Sequence, residues 1–167
     1  MEAKIYFSET QRFTQWWLWA ILLGAASMPV FGLIKELRTA HPFSDAAHNA
    51  GIFISLIIMA SVWVLFLLLR LETQITDAGI TVRFFPFHLK SLHFPWAETE
   101  QVYVREYSPV GEFGGWGLRY GLDGKAYNVS GKQGIQLVFK DGKKLLIGTN
   151  KPAEAAAALK QSREVAR

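Results

Sequence analysis

The sequence predicts an α+β protein: a transmembrane hairpin of two helices, then a bent antiparallel β-barrel of about seven short strands, capped by a C-terminal α-helix. Three observations predict it. Residues 50–69 form an uncharged apolar run closed by Arg70, and residues 16–34 form a second one closed by Lys35, Glu36 and Arg38. About 20 apolar residues at 1.5 Å rise span the hydrocarbon core of a bilayer. From Leu71 the hydrophobic period falls to two, with turn residues between short runs. After Pro152 the period lengthens to that of a helix. A lone antiparallel sheet would leave one apolar face wet, and closing it on itself under a plug removes that cost. The chain accordingly divides into a membrane anchor, residues 1–70, with helices over about 13–35 and 48–70, and a β domain, residues 71–167.

Residues 1–15 are mixed, with Ile5, Phe7 and Phe13 among Lys4, Glu9 and Arg12. They read either as an amphipathic segment lying in the interface or as a frayed polar terminus. Trp16, Trp17 and Trp19 open the first apolar run, where indole rings favour the headgroup boundary. A signal peptide is the rival reading, with small residues at Gly24, Ala25 and Ala26, but the apolar run continues through Val30, Phe31 and Ile34, so the helix is expected to be retained. Pro29 is tolerated in a membrane helix. The connection at 35–49, with His41 and Pro42, is short enough to make the two helices antiparallel neighbours. Ala20 and Gly24 on the first, facing Ala60 and Ser61 on the second, are the expected contact, with Gly51 and Ser55 as another small pair. Lys4, Arg12, Arg70, Arg83 and Lys90 outside the hairpin outnumber Lys35 and Arg38 in its connection, which places both termini and the β domain in the cytoplasm, at the inner membrane.

In the β domain, residues 71–76 and 80–87 flank an Asp77-Ala78-Gly79 turn. Pro95 breaks the pattern at 92–96. Residues 101–107 alternate, with Val102, Val104 and Glu106 on one face and Tyr103, Arg105 and Tyr107 on the other. Residues 111–117 read as a glycine-rich loop. Short strands follow at 118–122 and 126–130 around Asp123-Gly124, and at 135–139 and 145–147 around Asp141-Gly142. Pro152 suits the first turn of the last helix, Glu154 its positive end, and Lys160, Arg163 and Arg167 its negative end. Ala155, Ala156, Leu159 and Ser162 share its narrow apolar face.

Composition limits the chemistry. The formal charge is +4 with basic residues spread over the β domain, which argues against nucleic acid and leaves anionic lipid as the natural polyanion. There are no cysteines, so disulfides, thiolate catalysis and zinc knuckles are ruled out together. His41, His48, His88 and His93 have no acidic or cysteine partner at metal spacing, so no metal is expected. Glu98 and Glu100 would share a face of an extended segment, yet no apolar pocket is visible to separate their pKa values. Gly111, Gly114, Gly115 and Gly117 precede no helix and lack a following Gly-Lys-Ser/Thr, so they read as a turn rather than a phosphate cradle. No nucleophile elbow and no His-Glu-x-x-His are present. No catalytic residue and no cofactor are expected. The binding candidates are Trp116 with Arg119, an aromatic and arginine pair of the kind enriched at interfaces, and Lys140, Lys143 and Lys144, joined by Lys151, which facing a membrane would each add about 1 kcal/mol of attraction to anionic lipid.

Phe94-Pro95-Trp96-Ala97-Glu98 before a strand resembles the Pro-Trp step of bacterial pleckstrin-homology-like (PH-like) domains. Gly114-Gly115-Trp116-Gly117-Leu118-Arg119, Tyr127 to Gly131, Leu137-Val138-Phe139, Asp141-Gly142-Lys143 and Ile147-Gly148-Thr149 continue the likeness. Glu9, Gln11, Arg12, Phe13, Trp16 and Trp17 resemble the N-terminal lead of an uncharacterised bacterial membrane family with two helices and such a domain. The resemblance implies a fold and a location, and no catalytic residues. Phosphoinositide-binding PH domains carry basic residues in the turn between their first two strands; that turn, read as residues 76–80, has no Lys or Arg. The expected function is a non-enzymatic adaptor or scaffold at the cytoplasmic membrane face, its partners the lipid bilayer and a protein or a second copy. An accessory subunit of a membrane transporter or of a lipid-acting enzyme complex is the alternative.

Overall fold

The computed structural model describes residues 4–40, 42–121 and 124–165. His41, Asp123 and Arg167, named above, and the last residue of the expected strand at 118–122 lie outside them. The chain forms two units, one joining Met1–Phe13 to Leu69–Arg167 and the other made of Thr14–Leu68.

The smaller unit is a pair of helices, α1 (Trp16–Leu37) and α2 (Ala46–Leu68). Both are long and apolar enough to cross a membrane; at 1.5 Å per residue each is about 33 Å long. Asp45 caps α2, its Oδ1 accepting from the backbone N–H of Ala47 at 3.0 Å and of His48 at 3.1 Å. Glu36 closes the connection by accepting from Phe43 N–H at 2.9 Å, with His48 Nε2 3.7 Å away. The helices meet through Leu22, Asn49 and Ile52, which are buried, and through Trp19 against Trp63, ring centroids 5.5 Å apart. The expected contact through small residues is not formed. Ala20, Gly24, Ala60 and Ser61 are all exposed, and a Cβ built on Gly24 or Gly51 meets nothing within 4 Å. The two indoles supply far more contact area than a methyl stripe, and they set the rotation of the pair.

The larger unit holds nine strands among the described residues rather than about seven. The first sheet is β1 (Ile5–Arg12), β2 (Arg70–Thr76), β3 (Gly79–Phe85) and β4 (Leu92–Pro95), in that order and antiparallel throughout. β1 corrects the reading of residues 1–15 as an interfacial or frayed segment. Its inward positions are Phe7, Glu9 and Gln11, so two of three buried side chains are polar and the alternation is disguised. Consequently the turn at 76–80 joins the second and third strands, and the helical pair itself occupies the connection between the first and second. β4 replaces the expected break: Pro95 sits at the end of an edge strand, where a missing N–H costs no ladder bond.

A 3-10 turn at Trp96–Glu98 carries the chain to the second sheet. Trp96 fixes this corner, its Nε1–H donating to Thr76 O at 3.1 Å and its backbone N–H to Ala78 O at 3.2 Å. The second sheet orders β5 (Thr99–Glu106), β8 (Gln133–Phe139), β9 (Lys144–Gly148), β7 (Gly124–Asn128) and β6 (Gly117–Gly121). β7 runs parallel to β9, which departs from the expected all-antiparallel barrel. The β6–β7 hairpin thereby covers the free edge of β9, which would otherwise present unpaired backbone groups. No ladder among the described residues joins the two sheets, so they do not form a closed barrel.

The glycine-rich segment begins with a short helix, α3 (Pro109–Phe113). Ser108 Oγ accepts from Gly111 N–H at 3.1 Å, and Glu112 Oε1 accepts from Ser108 N–H at 2.8 Å. Gly114 then ends it in the left-handed region at φ 68°. The last helix, α4 (Pro152–Val165), touches β1 and β2 of the first sheet and β5 and β8 of the second. It buries Ala155, Ala158, Leu159 and Ser162, and the core beneath holds Leu71, Ile75, Ile80, Val82 and Phe84 from one sheet and Ile135, Leu137 and Ile147 from the other, whereas Leu146, on the second sheet's opposite face, is buried with Tyr107, Phe113 and Ala126. Two sheets whose apolar faces meet under a narrow helix satisfy the burial requirement without closing the ladder.

Candidate functional site

The described residues of the sheet unit enclose a cleft of about 690 Å³. Leu92 and Phe94 of β4 form one side; Tyr120, Tyr127, Phe139 and Leu145 from the second sheet form the other, with Lys125, Lys143 and Lys144 among the lining residues. Its size and its mix of apolar wall and a few polar groups are those of a binding pocket. Alternation along β4 sends Leu92 and Phe94 to the same face, and Phe94 meets Phe139 with centroids 5.5 Å apart.

The structure divides the predicted lysines. Lys143 and Lys144 line the cleft, whereas Lys140 is exposed outside its lining and donates its backbone N–H to Glu98 O at 3.0 Å. Lys143 Nζ lies 2.6 Å from Asp141 Oδ2. Their hydrogen bond holds the Asp141 carboxyl below its usual range and raises Lys143. Lys151 is paired instead with Glu154 at 3.1 Å. Lys125, which sequence reasoning missed, stands over the Tyr120 ring at 5.2 Å. The signal for it was the β7 alternation, which puts Lys125 opposite the buried Ala126.

Trp116 and Arg119 are brought together, but on each other: Arg119 Nε–H donates to Trp116 O at 2.9 Å, and Trp116 Nε1–H donates to Gly131 O at 3.3 Å. Neither lines the cleft. Trp16 is 80% exposed and Trp17 is exposed, whereas Trp19 turns onto Trp63. Glu98 ends the 3-10 turn and Glu100 lies in β5, so the two do not share an extended face, and both are exposed. Asn128 is buried and its Oδ1 accepts from Gly117 N–H at 2.8 Å, a tie within the β6–β7 hairpin. His93 Nδ1 lies 3.1 Å from Thr81 Oγ1. Among the described residues no three His, Asp or Glu side chains are placed to hold a metal ion.

His88, in the connection after β3, packs its ring edge-on to Tyr127 at 5.2 Å. Burial, and then the Lys125 charge, lower its pKa from 6.5, and burial and then Tyr120 raise that of Tyr127. The folded state therefore favours neutral His88. Its contribution to stability is complete above pH 6.5 and is lost as the pH falls through the depressed folded value. Replacing His88 by Gln should flatten the loss of stability on the acid side of 6.5 and leave the neutral side unchanged, as read by melting temperature against pH.

No protein-family model matches the chain, and no curated protein sequence matches it. The order of two apolar helices followed by a sheet domain therefore stands on the structure itself.

Proposed function

We propose that this chain is a membrane-anchored PH-like adaptor, whose helical pair spans the inner membrane and whose head, in the cytoplasm, binds a protein partner or a second copy through the cleft. One observation carries the anchor. β1 and β2 flank the helical pair in sequence, yet they lie side by side with Arg12 opposite Arg70. Only residues 13–15 separate β1 from α1, and only Leu69 separates α2 from β2. Two spans tied this closely to adjacent strands put both termini on one side of the bilayer. The same pairing speaks for a retained α1, because residues ahead of it form a strand of the head, which a cleaved leader does not. The Lys and Arg asymmetry favours the cytoplasmic side.

Support for the PH-like reading comes from the strands that remain when the β6–β7 hairpin is set aside. β1 to β4 form one antiparallel sheet, β5, β8 and β9 a second, and α4 lies across both. In this reading the helical pair stands where phosphoinositide-binding PH domains carry their basic turn, so attachment is covalent rather than through a lipid headgroup. Tethering raises the effective concentration of the head at the membrane, so weak contacts suffice. The outward-facing Ala20, Gly24, Ala60 and Ser61 favour the second reading, an accessory subunit docked on a larger helical bundle.

The chain has no cysteine, which makes single-cysteine variants clean probes. In intact cells Thr39→Cys should react with an impermeant maleimide, and Lys140→Cys only after the membrane is opened. The reverse pattern would put the head outside. With a photoreactive maleimide, Lys143→Cys should capture a defined protein or a second copy; adducts of lipid alone would remove the adaptor reading.

A further inference from the structure

We propose that the connection between β3 and β4, residues 86–91, is a second membrane contact: it seats Phe87 and Leu89 in the bilayer interface beside the point where the chain enters and leaves the helical pair. This rests on the anchor reading above.

The register fixes the place. Arg12, Arg70 and Phe85 are successive partners across β1, β2 and β3. Neighbouring strands lie about 4.8 Å apart, so the end of β3 is about 10 Å from the end of β1. Arg70 is two residues beyond Leu68, the last residue of α2; the chain between them reaches at most about 7 Å. The connection after Phe85 therefore starts beside the strand ends from which the chain runs into and out of the helical pair.

The composition fits that place. Leu89 is 75% exposed and Phe87 is 58% exposed. Water is a poor solvent for two such side chains on one short connection, whereas the headgroup and acyl boundary accepts apolar groups to a depth of about 5–10 Å. The segment is also held in shape. His88 N–H donates to Phe84 O at 2.8 Å, Phe87 stacks on the buried Phe84 with centroids 5.8 Å apart, and His88 turns onto Tyr127. The inward residue is thus the polar one, and its two apolar neighbours are left exposed. Charge agrees. Lys90 is exposed, and Arg70 and Arg83 share the single carboxylate of Glu72, at 2.8 and 2.7 Å, so this end of the sheet is net positive toward anionic headgroups. The turn at the other end of β2 and β3 holds Asp77 and Ala78 and carries no large apolar side chain. The two ends of one sheet differ as a wet end and a lipid-facing end should. The seated loop makes a second point of attachment besides the helix ends.

The test uses full-length protein in vesicles of phosphatidylcholine and phosphatidylglycerol, with an environment-sensitive fluorophore on a single cysteine at Leu89, Ala78 or Ile58. Nitroxides are placed on the lipids either near the headgroup or deep in the acyl chains. Leu89→Cys should emit at shorter wavelength than Ala78→Cys and lose most of its emission to the shallow nitroxide. Ile58→Cys, in the middle of α2, should be quenched by the deep nitroxide, and Ala78→Cys by neither. If Ile58 is quenched and Leu89 is not, the loop contact is overturned and the anchor stands. If Leu89 and Ala78 are quenched alike, the head lies on the bilayer without the proposed orientation, which also overturns it. If Ile58 is not quenched by lipid, the anchor reading fails, and this inference with it.

Discussion

Replacing Glu9 by alanine should destabilise the head by about 3 kcal/mol, because Glu9 ties the first strand to the start of the last helix. Glu9 is 7% exposed. Its Oε2 accepts from Thr149 Oγ1 at 2.6 Å and its Oε1 from Asn150 N–H at 2.9 Å. Thr149 Oγ1 in turn accepts from Lys151 N–H at 3.0 Å, one residue ahead of Pro152, where α4 begins. Gln11 adds a parallel tie, donating to Gly148 O at 2.7 Å. A hydrogen bond to an ionised acceptor contributes about 1.5–3 kcal/mol net, and the alanine leaves a hydroxyl and an N–H without their acceptor. The carboxylate also faces the positive end of α4, which favours it by a few tenths to about 1 kcal/mol. Thermal melting of full-length protein in detergent, followed by the circular dichroism of the sheets, should show a fall of roughly 10 °C. Glu9→Gln keeps an acceptor for one donor and should recover about half of the loss. A midpoint unchanged in Glu9→Ala would show that the tie does not contribute to stability.

The same residue shows where the sequence stops being legible. The two helices, the Asp77-Ala78-Gly79 and Asp141-Gly142 turns and the apolar face of α4 each depend on local chemistry: length and apolarity, turn residues, and a helical period. The helices and turns follow from neighbouring residues; the α4 face does so in part, since Ala155, Leu159 and Ser162 are buried as expected but Ala158 is buried where Ala156 is expected. β1 does not follow from neighbouring residues, because its partner strand begins 58 positions further along the chain, at Arg70, and its buried Glu9 and Gln11 are satisfied only by residues near 149. The cleft is divided in the same way. Lys143 and Lys144 were visible as a cluster next to a hairpin, but Lys125 and Tyr127 join them only because a hairpin docks parallel on β9, and Leu92 and Phe94 only because β4 of the first sheet meets Phe139. Trp116 and Arg119, close in sequence, are also tied together in the structure, through Arg119 Nε–H and the Trp116 carbonyl, outside the cleft lining. The small residues of the helices fail for a third reason, that the pair is oriented by the two largest side chains available, Trp19 and Trp63.

Gly79→Ala should cost about 3 kcal/mol or more, and its cause is a contact as much as a torsion. Gly79 opens β3 at φ 156°, opposite Pro95 of β4. A Cβ there falls on the carbonyl oxygen of Phe94, with the Cα of Pro95 at 2.8 Å and the carbonyl carbon of Phe94 at 2.9 Å. All three neighbours are backbone, so no side chain can rotate away and β4 itself must move. β4 leads directly into the Trp96 corner, whose two hydrogen bonds to Thr76 O and Ala78 O carry the chain from one sheet to the other. Gly142→Ala is the control. It has φ 81° in the Asp141-Gly142 turn, but a Cβ there meets nothing within 4 Å. That variant should cost only the left-handed backbone penalty, about 1–2 kcal/mol. The difference between the two melting shifts isolates the contact with β4. Since Phe94 also lines the cleft, Gly79→Ala should in addition weaken photocapture from Lys143→Cys. Equal shifts in the two variants would mean that β4 yields freely and that the corner at Trp96 does not set the geometry of the cleft.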